Sequence, residues 1–137
     1  MTIFHSESKG FGDLFVLPVW EGGEIAIDWN GDIEALERGD FNYSGGQRIL
    51  LLGLGKKCAG RCCMRKSYGA AVLRCVGKEW KKVVFGMPEG ISQVGAIEGA
   101  MSACYSFDAY KEKGEKIFEE GVFLGADPKV LEDCMLF

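Results

Sequence analysis

Arg48-Ile-Leu-Leu-Leu-Gly-Leu-Gly-Lys-Lys57 is the stretch whose reading decides the fold. Ile49 to Leu52 are apolar without alternation, the pattern of a strand buried on both faces. Gly53 and Gly55 allow a sharp turn at the carboxyl end of that strand. A basic segment follows, and then a helical periodicity. Strand, glycine turn and helix together open an α/β unit, so a sheet is expected to be built outward from Ile49–Leu52.

On the C-terminal side, Met64, Tyr68, Ala71, Val72, Cys75 and Val76 share one helical face, which predicts a helix from about Cys62 to Lys78. Lys82–Met87 holds Val83-Val84-Phe85, a short buried strand closed by Pro88. A second helix is expected from Ser92, its N-cap, to about Tyr110, with Val94, Ile97, Met101, Cys104 and Tyr105 as its stripe. Gly95 and Gly99 lie inside this helix, where each costs roughly 1 kcal/mol against Ala; a close backbone approach would justify them. Lys111–Lys116 reads as a solvated connection and Gly121–Gly125 as the last strand. Asp127-Pro128 is an N-cap followed by an N1 proline, opening a helix with Leu131, Cys134 and Met135 on one face.

On the N-terminal side, Thr2–His5 reads as an edge strand and Leu14–Trp20 as a second apolar strand, with Pro18 near its end because proline cannot donate to a ladder. Glu24–Trp29 alternates apolar and polar residues and is expected to be a half-buried strand. Asn30-Gly31-Asp32 signals a turn, Ile33–Arg38 a turn of helix, and Gly39–Gly46 a loop. The order β-β-β-β-α-β-α-β-α predicts a mixed sheet with helices on both faces, a three-layer α/β/α domain.

A length of 137 residues corresponds to one domain. The net charge of −4 argues against a protein made mainly to bind nucleic acid. No apolar run approaches the ~20 residues of a membrane span. The N-terminus lacks the basic start, apolar middle and small-residue cleavage site of a signal peptide, so the cytoplasm is the expected compartment. There the six cysteines are expected to be reduced. The last amphipathic helix runs into Met135-Leu136-Phe137 without a polar finish, which reads as a chain continuing in a longer protein; a native end docked on the body is the alternative.

Chemistry-bearing residues are few. The turn Gly53-Leu-Gly-Lys-Lys57 lies where α/β proteins bind phosphates, although its glycine spacing fits neither a P-loop nor a dinucleotide fingerprint. Gly53, Gly55, Lys56, Lys57 and Arg61 are the candidate anion-binding residues, with a plain tight turn feeding a helix as the commoner reading. Lys56, Lys57, Arg61, Arg65 and Lys66 form a basic cluster without an intervening acid, which either contacts an anion or is simply a solvated helix start. No aromatic residue is interleaved for base stacking.

Cys58, Cys62 and Cys63 lack the second ligand pair that structural zinc needs, and the sole histidine, His5, is distant in sequence. A redox role is open to these thiols because neighbouring cations lower thiol pKa values; incidental surface thiols are the plainer reading. His5 reads as structural or solvent-facing, Glu98 as a charge leaving the packed stripe for solvent, and Asp13 as a turn residue. No residue is assigned as catalytic or as a metal ligand.

Three segments resemble the N-terminal domain of the leucyl (cytosol) aminopeptidase family. They are Gly12-Asp13 before an apolar strand ending Trp20-Glu21-Gly22, then Arg48-Ile-Leu-Leu-Leu-Gly-Leu-Gly-Lys56, then Glu98-Gly-Ala-Met-Ser-Ala-Cys-Tyr-Ser-Phe-Asp-Ala-Tyr-Lys111. They occur in the family's order and span most of the chain. The resemblance implies a macro-domain-like fold in a two-domain, generally hexameric enzyme. There a separate C-terminal domain would hydrolyse N-terminal residues from peptides with two divalent metals (zinc, manganese or magnesium). The family's Asn-Thr-Asp-x-Glu-Gly-Arg segment is absent from this sequence, and Val76-Gly-Lys78 does not continue as its metal-binding lysine segment does. The chain is also shorter than the family pattern between Gly39 and Gln47. The implied role is therefore that of a non-catalytic assembly or regulatory domain, inactive alone, whose partners are its own catalytic domain and further copies. A freestanding macro-like domain that binds ADP-ribose or a related nucleotide is the alternative; macro domains carry an Asn-rich segment where this chain has Leu17-Pro-Val-Trp20. An anion or nucleic-acid contact through Lys56–Lys66 is a third reading.

Overall fold

A computed structural model of the chain describes residues 2–7, 12–22, 24, 26–27, 41–44, 47–56, 60–78, 80–88, 93–110 and 116–135, with residues 41–44 and 47 described by their backbone alone. The elements are β1 (Ile3–Glu7), β2 (Leu14–Val19), β3 (Phe41–Ser44), β4 (Gln47–Gly53), α1 (Arg61–Leu73), β5 (Lys82–Gly86), α2 (Gln93–Tyr110), β6 (Glu120–Leu124) and α3 (Pro128–Met135). They form an α/β domain around a six-stranded sheet of order β1-β6-β5-β2-β4-β3. The sheet is mixed: every neighbouring pair is parallel except β3 and β4, which are antiparallel.

The unalternating run Ile49–Leu52 is buried on both faces of the sheet. Leu50 and Leu52 join Leu14, Val16, Val83, Phe85 and Phe123 in one apolar cluster, to which Met64, Tyr68 and Val72 of α1, Ile97, Met101 and Cys104 of α2, and Leu131 of α3 also belong. Ile49 and Leu51 join Phe15, Leu17, Val19, Val84 and Val122 in a second cluster on the opposite face. Apolar burial on both sides is what the middle layer of a three-layer α/β fold requires. The described helices all lie on the first side.

Several boundaries differ from the sequence reading. Residues 41–44 are a strand, where a loop was expected over 39–46. Ser44 pairs with Gln47, and a Gly-Gly pair between two extended runs is a hairpin signal. The expected strand Glu24–Trp29 is not one where it is described, since Glu24 carries no strand assignment and Ala26 and Ile27 lie in a bend. Trp20 N donates to Glu24 O (2.8 Å) and Ala26 N to Pro18 O (3.0 Å), so this segment folds back on the end of β2. Ile27 packs against the second cluster; the alternation reported burial without a ladder. Residues 25, 28 and 29 and the turn of helix expected over 33–38 lie outside the described residues.

Helix α1 ends at Leu73, short of the expected Lys78. Cys75 N and Val76 N reach back three residues, to Val72 O (2.9 Å) and Leu73 O (3.3 Å), and Gly77 adopts φ +76°. This tighter turn keeps Cys75 buried without continuing the helix. Pro18 falls two residues beyond the last β2–β5 pair, Val16 with Phe85, so its missing N–H comes after that ladder has stopped. Asp127 caps α3 as its sequence predicts, Oδ1 accepting from Lys129 N at 2.9 Å.

Helices α1 and α2 run side by side in the same direction, with Gly95 against Arg61 and Gly99 against Arg65. A Cβ at Gly95 would stand 2.9 Å from the Arg61 Cα, and one at Gly99 2.8 Å from the Arg65 Cα, each on top of the corresponding carbonyl oxygen. The expected close approach is therefore present, and the two glycines make it.

Candidate functional site

The Gly53–Lys56 turn lies at the carboxyl end of β4, next to the end of β2. Leu54 N donates to Val19 O (2.9 Å) and Glu21 N to Gly55 O (2.7 Å), while Gly55 takes φ +78°. Gly53, Gly55 and Lys56 are all exposed. The chain leaves β2 toward β4 and is returned by α1 to β5 on the other side of β2, so this turn stands where the direction of strand progression reverses. In open α/β sheets such points commonly receive ligands. Of the remaining candidate anion-binding residues, Lys57 lies outside the described residues. Arg61 is the first residue of α1 and its guanidinium is ion-paired with Glu98 of α2.

The other residues singled out from sequence fall into structural roles. Asp13 Oδ2 accepts from the main-chain N–H groups of Lys81 (2.9 Å) and Lys82 (3.0 Å), and Asp13 N donates to Lys82 O (2.8 Å). This fastens the start of β2 to the start of β5. A Cβ at Gly12 would meet Lys82 O at 2.8 Å, which accounts for the glycine beside the clamp. His5 faces solvent on the edge strand, 3.5 Å from the Glu120 carboxylate.

Cys62 and Cys63 are exposed on the first turn of α1, whereas Cys75 and Cys104 are buried. Burial pushes both buried thiols up to about 12, with each other's proximity adding to the effect at Cys75. Cys58 lies outside the described residues. Among the described residues no three His, Cys, Asp or Glu side chains come together as a metal ion would need, so no step of a metal-dependent reaction is assigned to them. Nor is any described helix long and apolar enough to cross a membrane.

A feature not read from sequence is a cavity of about 330 Å³ at the junction of α1, α2 and α3. Arg61 and Arg65 reach it from α1, Glu98, Ser102 and Tyr105 from α2, and Cys134 from α3. Burial raises the Cys134 pKa, the Glu98 carboxylate raises it further, and Arg61 opposes both. Positions 98, 102 and 105 follow helical i, i+4, i+7 spacing, and this polar stripe beside the apolar one was the signal available in the sequence.

Residues 40–114 match the cytosol aminopeptidase family, N-terminal domain. The chain belongs to that family. The matched region takes in β3, β4, α1, β5 and α2, and with them the doubly buried strand Gln47–Gly53, the glycine turn and the glycine-mediated helix pair. The chain is also similar to a probable cytosol aminopeptidase of Protochlamydia amoebophila (strain UWE25), 32% identical over 138 aligned positions that cover 82% of this chain. It spans 28% of the length of that relative.

Proposed function

We propose that this chain is the non-catalytic N-terminal domain of a leucyl aminopeptidase. In that reading the complete enzyme removes N-terminal residues from peptides in the cytoplasm, using two divalent metals (manganese, zinc or magnesium) held by a separate C-terminal domain. This domain serves assembly, packing against the catalytic domain in a homo-oligomer, a hexamer as the family resemblance implies. The observation that carries the reading is the family match over residues 40–114, made to the N-terminal domain specifically.

The test compares this chain with the product of the complete gene, using leucine amide and Mn²⁺. Hydrolysis by the long form alone is the expected result. Hydrolysis by neither form would remove the peptidase assignment.

A second reading is a nucleotide-binding domain that takes ADP-ribose or a related anion at Gly53–Lys56. The position of this turn, exposed and at the reversal of strand order, favours it. Calorimetric titration of ADP-ribose, with heat lost on Lys56→Glu, is its test; no heat at all would discard it.

A further inference from the structure

Two arginines enter the cavity between α1, α2 and α3, but only one is neutralised there. Glu98 pairs with Arg61 through Oε1. One helical turn on, Arg65 has no ion pair or hydrogen bond among the described residues, and the hydroxyls of Ser102 and Tyr105 have none there either. Gly99 brings the main chain of α2 onto that of Arg65. The Arg65 side chain therefore starts with no bulk between it and α2, and it lines the same cavity as Ser102 and Tyr105 beyond the crossing. Met101, only 4% exposed, supplies an apolar wall.

We infer that this cavity binds a carboxylate on Arg65, with a compact apolar group of the same ligand against Met101. Guanidinium recognises carboxylate through two parallel N–H···O bonds, and neighbouring hydroxyls can donate to the oxygen lone pairs that remain. Among the described residues that line the cavity, two arginines against Glu98 leave one positive charge. That matches a carboxylate and disfavours a phosphate dianion, which would stand against Glu98. A volume of about 330 Å³ is at the small end of ligand sites. It suits a unit the size of one apolar amino acid, whether free or at the end of a chain.

The inference does not depend on the peptidase reading. Its test is a titration of the ¹⁵N-labelled full chain, followed by backbone amide shifts, with N-acetyl-leucine, leucine, leucinamide and inorganic phosphate at constant ionic strength. Saturable shifts at Ser102 and Tyr105 with N-acetyl-leucine are expected, and no saturation with leucinamide, which lacks the carboxylate. Arg65→Met should weaken binding about tenfold or more. Tyr105→Phe, which removes one hydroxyl, should weaken it less, and Lys66→Met, a neighbouring charge outside the cavity, should leave it within about twofold.

Binding of leucine as tight as that of N-acetyl-leucine would identify a free amino acid as the source; preference for the acetylated compound would identify a chain end. The inference is overturned by equal binding of leucinamide, by an unchanged Arg65→Met, or by phosphate binding more tightly than N-acetyl-leucine. The absence of saturation up to ~10 mM would overturn it as well.

Discussion

Gly99 rests on the main chain of Arg65, so closely that a methyl group on its α carbon would stand 2.8 Å from the Arg65 carbonyl carbon. The obstacle is backbone, which cannot swing aside as a flexible side chain can. Gly99→Ala must push α1 and α2 apart and is expected to cost about 3 kcal/mol or more, despite the better helix propensity of alanine. Gly53→Ala, where an added Cβ meets nothing within 4 Å, should stay within about 1 kcal/mol of the parent. Urea midpoints of the two variants measure the contrast; similar midpoints would mean that the helices separate easily.

Asp13→Ala removes the acceptor of two main-chain N–H groups. The clamp is at an exposed sheet end, where water can partly replace the carboxylate, so a loss of about 1–2 kcal/mol is expected. Asp13→Asn keeps one oxygen acceptor and should recover part of it. Thermal melts of the two variants beside the parent check the order.

Tyr68 is fully buried and its hydroxyl donates to Gly86 O at 2.6 Å. Tyr68→Phe leaves that carbonyl without its partner at the end of β5, at an expected cost of about 1–3 kcal/mol. Burial also holds the phenol well above its ordinary ionisation range. Ultraviolet titration of the parent should therefore show the Tyr68 phenolate only when the protein unfolds.

The cysteines should divide into two classes under alkylation. Cys62 and Cys63 are exposed and should be modified in the native protein, whereas Cys75 and Cys104 should react only after unfolding. The buried thiols also set a pH dependence. Their folded pKa values of about 12 exceed the ordinary value of 9.0, so above pH 9 the unfolded chain has fewer bound protons than the folded one. The stability they contribute is complete below about pH 9 and is lost as pH rises toward 12. Melting temperature should fall across that interval, and less steeply in Cys75→Ala/Cys104→Ala; equal slopes would show that other groups govern the decline.

The sequence announced the elements whose cause is local. The unbroken run Ile49–Leu52 and the cap at Asp127 carry their reason in neighbouring residues and stand in the structure as read; the glycines of α2 were legible as costly positions within one helix, although what they accommodate is the main chain of α1. Misreadings arose where partners are distant or the segment is short. Residues 41–44 become a strand through pairing with β4, and Ala26 leaves the strand pattern because its N–H is claimed by Pro18 O. The junction cavity was illegible for the same reason. Arg65, Ser102 and Cys134 lie on three helices, and it takes the packing of Gly99 against Arg65, and of α3 against α2, to bring them to one place. Arg61 stood among the anion-binding candidates in the sequence, yet its counter-ion, Glu98, is on α2.

Among the described strands, β1 has a single neighbour in the sheet, and that neighbour is β6. Thr2, just ahead of β1, donates its hydroxyl to Phe118 O, 116 residues further along the chain. During synthesis β1 must therefore wait, unpaired, until β6 has left the ribosome. Among the described pairings, only the β3–β4 hairpin can form from residues made close together in time. A strand that stays unpaired until residue 124 has emerged is a surface for chaperones to guard, and a stop in the message ahead of β6 would leave it without that partner permanently.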